Sequence, residues 1–244
     1  MAESIDRQEE TTRKTVFVSV HQGETCWYGV ARSGDGVVAT ATGTTSEQAL
    51  KRVCHSIPSG APSQLLHESD AGGEAATDDK VAAMEEAGRV VRMLEELERG
   101  DESNKHFVIS PRYIGQPLRN VLYAAAGIPI GYVSTYGNIA RVAGSEARAV
   151  GRIMATNPLY PIVPCHRVVG AGFQLVGYGG SQGSDALSDK LKRITSEAKG
   201  YDAERQIEIV GMWLTVYPAE WVVAAAAIGD ELGSGDVSQL SLFG

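Results

Sequence analysis

The sequence of 244 residues is poor in cysteine, in aromatic side chains and in long apolar runs. Three cysteines are too few for the disulfide framework of a small secreted domain, and an odd number leaves at least one thiol outside any internal pair. No run reaches the roughly eighteen apolar residues that a membrane-spanning helix needs, and the first ten residues lack the apolar core of a signal peptide. We therefore expect an intracellular protein without a membrane partner.

Positive charge is also scarce, since 22 Lys and Arg stand against 30 Asp and Glu and give a net charge of −8. It is unevenly placed, because residues 105–200 contain eleven basic and four acidic residues and the rest contains eleven and 26. A basic block attracts phosphates by releasing counterions, while an acidic remainder keeps a protein soluble. Chance segregation of charge explains the same counts, so both interpretations stay open.

The chain is long enough for two small domains with buried cores. We predict a flexible tail over residues 1–13 and an N-terminal lobe of sheet and helix over residues 14–103. Short β-branched or aromatic runs predict its three antiparallel strands: 15–20, 27–31 and 36–42.

Two helices are expected in the same lobe. Apolar residues at helical spacing predict a helix over residues 46–56 with Ser46 as its N-cap, and a second amphipathic helix over residues 80–99. Residues 57–79 are rich in Pro, Gly, Ser, Ala and Asp, which predicts a long exposed loop. The lobe shows no catalytic constellation.

Four residues of this lobe carry metal-binding side chains: His21, Cys26, Cys54 and His55. Their spacing matches no established zinc pattern, and scattered residues of these types are more often ordinary core or surface positions. A disulfide between Cys26 and Cys54 is equally open. We assign no metal site.

Residues 104–232 are predicted as a second, mostly helical domain. A helix is expected over residues 115–126, and two short helices open at Thr135 and Ser145 and are divided at Gly144. Capped helices separated by a glycine are typical of a helix-turn-helix. Further on, residues 206–210 and 212–217 predict strands and residues 220–232 a helix; these last segments close the domain.

The second short helix has an unusual composition. Ala147, Ala149 and Gly151 are small enough for close approach to a nucleic-acid groove, and Arg148 and Arg152, four residues apart, share a face that can reach phosphate. Small residues also serve tight packing between helices. Both interpretations remain open on composition alone.

The segment 157–170 holds a thiol between closely spaced prolines, which prevent a helix from continuing and place Cys165 on an extended or turning backbone. His166 and Arg167 follow it directly, and basic neighbours lower a thiol pKa and favour a nucleophilic thiolate. On extended backbone Cys165 and His166 point to opposite sides, so a bridging water suits proton transfer between them better than a direct bond. A buried structural cysteine is the alternative.

These residues carry a resemblance to a known family. Residues from about 115 to 200 resemble the C-terminal domain of the O6-alkylguanine-DNA alkyltransferases, while the first hundred residues match only in layout. The shared elements stand in this order: Thr135-Tyr136, Ala147-Arg-Ala-Val-Gly151, Asn157, Pro164-Cys-His-Arg-Val168, Gly177-Tyr-Gly-Gly180 and Lys190–Glu197. The resemblance implies an α+β fold, with a ribonuclease-like lobe of sheet and helix followed by a helical domain that carries a winged helix-turn-helix-like motif.

The resemblance also implies a reaction. The alkyl group of O6-alkylguanine, and of O4-methylthymine, would pass from a flipped-out base of double-stranded DNA to Cys165, once per molecule and without metal or other cofactor. It implies catalytic roles for Cys165, His166, Glu197 and Asn157, with Glu197 orienting His166 and favouring its cation. It implies DNA contacts for Tyr136, Ala147, Arg148, Gly151 and Arg152, and a base pocket formed by Pro164, Val168, Tyr178 and Gly179.

The sequence departs from the family pattern at Gly179, where the family commonly has serine, so a hydroxyl contact is lost while the backbone amide stays. Backbone amides near Val168 and in the glycine-rich loop are expected to donate to the guanine O6. An alternative function is a damage sensor or regulator that binds DNA without alkyl transfer, although sensors of this kind lack the cysteine.

The last segment, residues 233–244, is predicted as a flexible tail. Gln239–Phe243 resembles the short peptide with which repair proteins dock on the sliding clamp, and the alternative is a terminal strand or frayed end. We expect a monomer, located in the cytoplasm with the nucleoid or in the nucleus.

Overall fold

The computed structural model describes residues 15–67, 70, 77–103, 105–209 and 211–233. The chain divides into two compact units, Met1–Leu122 with Thr156–Val163, and Tyr123–Ala155 with Pro164–Gly244. The predicted tail at 1–13 and the clamp-like peptide Gln239–Phe243 lie outside the described residues. The domain limits drawn at residues 103 and 232 stay a prediction.

The first unit is built on a four-stranded sheet with the strand order β3-β2-β1-β4. Its strands are β1 (Val16–Gln22), β2 (Trp27–Ser33), β3 (Gly36–Gly43) and β4 (Ser63–Leu65). The antiparallel pairing of β1, β2 and β3 confirms the predicted meander. Strand β4, which pairs parallel to β1, falls in the predicted loop, because its three exposed residues show no apolar alternation.

Two helices belong to this unit, α1 (Ser46–His55) and α2 (Asp78–Glu98). The prediction of Ser46 as N-cap is wrong, because Thr45 has extended backbone and its hydroxyl accepts a hydrogen bond from the amide of Gln48. Ser46 is already the first helical residue. Alanine and valine side chains from the sheet and α1 form a buried apolar cluster under the strands.

The second unit also contains a four-stranded sheet, with the order β6-β5-β8-β7. Its strands are β5 (Tyr132–Thr135), β6 (Val168–Val169), β7 (Arg205–Ile209) and β8 (Met212–Pro218). Strand β5 pairs parallel to β6 and antiparallel to β8. The pairing of β5 with β6 brings the residues after Cys165 beside the residues that open the predicted helix-turn-helix.

The remaining helices are α3 (Gln116–Ala126), α4 (Tyr136–Ala143), α5 (Ala147–Ala155), α6 (Ser184–Glu197) and α7 (Ala219–Gly233). The two short helices α4 and α5 are confirmed. Thr135 caps α4, since its hydroxyl accepts from the Asn138 amide at 3.1 Å. Gly144 ends α4 in the left-handed conformation, with φ 63°, which a glycine adopts without steric cost.

The described part of the chain is therefore an α+β fold with two small sheets and seven α-helices. None of the described helices combines the length and the apolar character needed to cross a bilayer.

Candidate active site and nucleic-acid interface

Cys165 lies at the start of a single 3-10 turn that covers Cys165–Arg167. The amide of Arg167 donates to the Pro164 carbonyl at 2.9 Å, and the amide of Val168 donates to the Cys165 carbonyl. The turning backbone predicted for Cys165 is confirmed, but the extended geometry assumed for Cys165 and His166 is wrong, because these two bonds close a turn. The Cys165 side chain is 8% exposed.

The carboxylate of Glu197, at the end of α6, connects two residues of this turn. The Nε2 atom of His166 lies 2.9 Å from Glu197 Oε1. Arg167 donates from Nε to Oε2 at 2.7 Å and from Nη2 to Oε1 at 3.0 Å, and its Nη1 donates to the Ile128 carbonyl at 2.7 Å. Both His166 and Arg167 are buried. Glu197 therefore holds an imidazole and a guanidinium at once.

Burial and neighbouring charges determine the protonation states of Glu197 and His166. Burial alone would raise the pKa of Glu197, but hydrogen bonds from His166 and Arg167 lower it to about 2. Burial lowers the pKa of His166, and the attraction of Glu197 offsets only part of that effect. Glu197 thus favours the cation of His166, as the resemblance implies, but burial outweighs this effect and the net shift of the His166 pKa is downward. A neutral imidazole beside an ionised carboxylate is able to accept a proton.

The second ring nitrogen of His166, Nδ1, is buried and has no hydrogen-bond partner among the described residues. Since Nε2 is engaged with Glu197, Nδ1 is the atom that a proton from a thiol would reach.

A lysine and a tyrosine also interact electrostatically with Cys165. Lys190 is only 1% exposed, and its Nζ atom donates to the carbonyls of Val168 at 2.7 Å and Gly177 at 3.2 Å. Burial lowers the pKa of Lys190 to about 8, and the charge of Cys165 acts in the opposite direction. The same ammonium group stands 5.7 Å from the ring centroid of Tyr136. A cation at this position favours the thiolate form of Cys165.

Tyr136, the first residue of α4, is half-buried, and its hydroxyl donates to the Val176 carbonyl at 3.1 Å. Burial raises the pKa of Tyr136 to about 12, and the charge of Cys165 adds to the rise. The phenol is therefore protonated at neutral pH, and it can donate to a nucleobase only by exchanging its present acceptor.

A cavity of about 740 Å³ opens in front of Cys165. Most of the predicted DNA-contacting and pocket residues line it: Tyr136, Ala147, Arg148, Gly151, Arg152, Tyr178 and Gly179. Arg148 and Arg152 are exposed on α5, four residues apart, as the sequence predicts. A cavity of this size accommodates a nucleobase with a substituent.

The loop that closes one side of the cavity depends on glycine. Gly177, Gly179 and Gly180 have φ values of 61°, 56° and 80°, which side chains rarely adopt. A Cβ added at Gly179 would meet no atom within 4 Å, so conformation rather than space favours glycine there. The amide and carbonyl of Tyr178 both bond to Ser181, which makes the loop a tight turn.

Five predicted site residues do not line the cavity: Asn157, Pro164, His166, Val168 and Glu197. Glu197 is bonded to His166. The Asn157 side chain donates to the Val163 carbonyl at 2.8 Å and accepts from the Leu159 amide at 3.0 Å, so it bonds the loop that precedes Cys165. Val168 is fully buried and its amide is engaged within the 3-10 turn.

For two residues of the site the sequence-based prediction is incomplete, because it gives Lys190 no role and treats Arg167 only as a basic neighbour of the thiol. Arg167 and Lys190 are both inside quoted motifs, yet nothing in their spacing shows that they are buried. The one signal in the sequence is that both basic residues lie within motifs predicted to be catalytic. A cation buried in such a motif needs a partner, so a basic residue there is a candidate site residue.

The metal-binding alternative finds no support in the described residues, where no group of three or more His, Cys, Asp or Glu side chains is placed to hold an ion. Cys26 and Cys54 are not joined by a disulfide.

The chain was compared with known proteins. Residues 117–199 match the family model described as 6-O-methylguanine DNA methyltransferase, DNA binding domain. This region of the chain is therefore similar to the DNA-binding domain of the O6-methylguanine DNA methyltransferases. The methyltransferase match ends two residues after Glu197, so β7, β8 and α7 lie beyond it.

Two curated relatives illustrate the match. A methylated-DNA–protein-cysteine methyltransferase of Pyrobaculum aerophilum is 57% identical over 54 residues, 22% of this chain and 36% of that protein. An inducible protein of the same name from Bacillus subtilis is 37% identical over 97 residues, 38% of this chain and 54% of that protein. The chain thus spans about a third to a half of the length of the relatives it matches.

Solved structures show a weaker likeness. The crystal structure of Mycobacterium tuberculosis OGT in complex with DNA shares 23% identity, with a TM-score of 0.49, over 76% of this chain and 96% of that one. This degree of similarity bears on neither the substrate nor the mechanism of the present protein.

Proposed function

We propose that the protein repairs DNA by moving the alkyl group of O6-alkylguanine, and of O4-methylthymine, onto its own cysteine. The observation that carries this proposal is the arrangement of Cys165 at a base-sized cavity, in one turn with a buried histidine bonded to a carboxylate. In the reaction a bond forms between Cys165 Sγ and the alkyl carbon while the bond from that carbon to O6 breaks. Guanine leaves with that electron pair and takes up a proton.

The thiol proton passes through water to Nδ1 of His166, and Glu197 stabilises the imidazolium that results. Arg167 keeps Glu197 ionised while the imidazole is neutral, because its guanidinium bonds both carboxylate oxygens. Lys190 favours the thiolate before attack. The thioether product has no good leaving group, so each molecule acts once.

DNA recognition in this proposal uses a helix-turn-helix formed by α4 and α5. Small residues at Ala147 and Gly151 permit close approach to the minor groove, and exposed Arg148 enters the duplex where the base has left. The ribonuclease-like character of the N-terminal lobe, the domain limits 14–103 and 104–232, the monomeric state and a location in the nucleoid-containing cytoplasm or the nucleus belong to the same proposal.

Mass spectrometry of the intact protein and its peptides tests the repair function. After incubation with a duplex that contains O6-methylguanine, we expect one added methyl group, about 14 Da, on the peptide that contains Cys165, as single-turnover covalent transfer requires. A duplex with ordinary guanine is the control. Binding of the damaged duplex without methylation of Cys165 would instead identify a non-enzymatic damage sensor.

A second partner follows from the sequence of the tail alone. We infer that Gln239–Phe243 tethers the protein to the sliding clamp and so raises its effective concentration at new DNA. Removing residues 239–244 should abolish clamp capture by the purified protein, with a scrambled tail as control. Equal capture by the truncated and intact proteins would end this idea.

A further inference from the structure

The hairpin formed by β7 and β8 lies beyond the region that matches the methyltransferase domain, yet it is bonded to the candidate helix-turn-helix. The carbonyl of Thr215 on β8 accepts from the buried hydroxyl of Ser134 at 2.7 Å. On α4, Asn138 donates to the Tyr217 hydroxyl at 3.2 Å, and Arg141 donates to the Thr215 hydroxyl at 3.4 Å. The hairpin is therefore held against the first helix of the motif.

The face of α4 that meets the hairpin is continuous with the mouth of the cavity. Gly137 lines the cavity and Arg141 follows it by one helical turn, and both are exposed. Arg141 has no carboxylate partner among the described residues. A cation without a counter-ion thus stands between the cavity and β8.

Strand geometry places an exposed aromatic side chain on the face of β8 that meets α4. Successive side chains of a strand alternate in direction, so Trp213 points to the same face as Thr215, toward α4, and Met212 and Leu214 point to the opposite face. Trp213 is 61% exposed, whereas Leu214 is fully buried. An exposed tryptophan beside an unpaired arginine forms a surface that suits the apolar sugar and the phosphate of a nucleic-acid backbone.

One charge on this surface opposes such a partner. Glu208 on β7 is the register partner of Trp213, is exposed, and shares its face. DNA phosphates would repel its carboxylate. Substitutions of Trp213 and of Glu208 should therefore change the affinity for DNA in opposite directions.

We propose that the hairpin of β7 and β8 extends the DNA-contacting face of α4 and α5, with Trp213 against the duplex that flanks the flipped base. This inference rests on the proposed repair function, because it takes the mouth of the cavity as the place where DNA lies.

Affinity for an undamaged duplex tests the inference directly. Trp213→Ala should weaken binding about fivefold, at the low end of what removal of an aromatic platform costs. Glu208→Gln should tighten binding about twofold at low salt, since a repulsion is removed, and less at high salt. Met212→Ala, on the other face, is the matched control and should bind as wild type does. Wild-type affinity in both Trp213→Ala and Glu208→Gln would overturn the inference.

A second measurement does not depend on the folding of a weakened variant. In protein labelled with 5-fluorotryptophan, the ¹⁹F resonance of Trp213, assigned by its loss in Trp213→Phe, should shift when duplex is added, while that of Trp27 stays in place. An unmoved Trp213 resonance in the DNA-bound protein would contradict the inference.

The two proposals fail in different ways. Transfer of methyl to Cys165 together with an unmoved Trp213 resonance overturns the hairpin surface alone. A shifted Trp213 resonance without methyl transfer leaves the surface and removes the repair reaction. No binding of either duplex would overturn both.

Discussion

Each unit of the molecule contains a cysteine near a glutamate, and the two environments have opposite chemical effects. In the first unit, Glu98 accepts from neutral donors, the hydroxyls of Thr25 at 2.7 Å and Tyr28 at 2.6 Å, and the Cys26 thiol lies 3.7 Å from it. Burial and the Glu98 charge raise the pKa of Cys26, although hydrogen bonds from its neighbours counteract part of the rise.

In the second unit the carboxylate is paired with a cation instead. Glu197 bonds Arg167 and His166, and the buried Lys190 ammonium favours a negative charge on Cys165. The difference indicates that the thiolate of a cysteine near a carboxylate is favoured where cations outweigh that carboxylate. The first unit has the same two residue types, but no cation among its described residues is bonded to Glu98 or shifts the pKa of Cys26.

The largest expected effect separates the two cysteines outright. Cys165→Ala should abolish methyl uptake from O6-methylguanine duplex, whereas Cys26→Ala should keep the wild-type single-turnover rate. The measurement is the mass of the protein against time after mixing. Methyl uptake by Cys165→Ala would show that another side chain is the acceptor.

Glu197→Gln should have the second largest effect on the rate of methyl transfer. Loss of the partner of His166 should slow transfer about 100-fold, at the low end of general acid–base contributions. The same change leaves the buried Arg167 cation uncompensated and should destabilise the protein by about 3 to 5 kcal/mol in urea unfolding at pH 7.

This stability difference should depend on pH in a defined direction. The folded pKa of Glu197, about 2, lies below its ordinary value of 4.5, so its contribution is present above pH 4.5 and is lost as the pH falls toward 2. The gap between wild type and Glu197→Gln should shrink over that range. A gap that stays constant would contradict the ionised carboxylate.

The pH dependence of the reaction tests the state of His166. Because burial lowers its pKa, the imidazole stays neutral and able to accept a proton below the ordinary value of 6.5. The single-turnover rate should therefore be maintained at pH 6.5 and decline at lower pH, where the imidazole is protonated. A decline centred above pH 6.5 would indicate a histidine held as a cation.

Lys190→Met should have a smaller effect, about a tenfold slower transfer at pH 7, through loss of one charge beside the thiolate. Lys192→Met is a matched control, because Lys192 is exposed on the same helix and its one carboxylate partner among the described residues is Asp189, at 3.4 Å. Equal rates for both variants would remove Lys190 from the activation of the thiol.

The smallest expected effect is a faster reaction of the Cys26 thiol in the first unit. Glu98→Gln removes the charge that raises the pKa of Cys26, so this thiol should react with iodoacetamide about two to three times faster at pH 8, in line with a higher thiolate fraction. The reactivity of Cys54, which is exposed and whose pKa is raised by desolvation alone, should not change. No gain at Cys26 would mean that Glu98 does not control it.

Local signals in the sequence were sufficient for most elements. Thr135 and Gly144 mark the limits of α4 because capping and left-handed backbone are properties of single residues. Strand β4 gives no such signal, because its three residues are all exposed. The N-cap of α1 is predicted one residue late, because two adjacent residues with hydroxyl groups are equally suitable. The prolines before Cys165 predicted a turn but not which turn.

The residues of the candidate site could be predicted from the sequence, but their protonation states could not. The resemblance placed Cys165, His166 and Glu197 together, yet the direction of the His166 pKa depends on burial, which no spacing shows. The same holds for Arg167, whose partner Glu197 lies 30 residues away.

The sequence by itself determined the candidate nucleophile, the stiff non-helical segment around it and the two short helices, because proline, glycine and capping hydroxyls act on the backbone within a few residues. Only the tertiary structure decided which cations reach Cys165 and Glu197, that His166 is neutral, and that β8 lies along α4 with Trp213 exposed. Desolvation and Coulomb interactions depend on distances between residues far apart in the chain, and those distances exist only after folding.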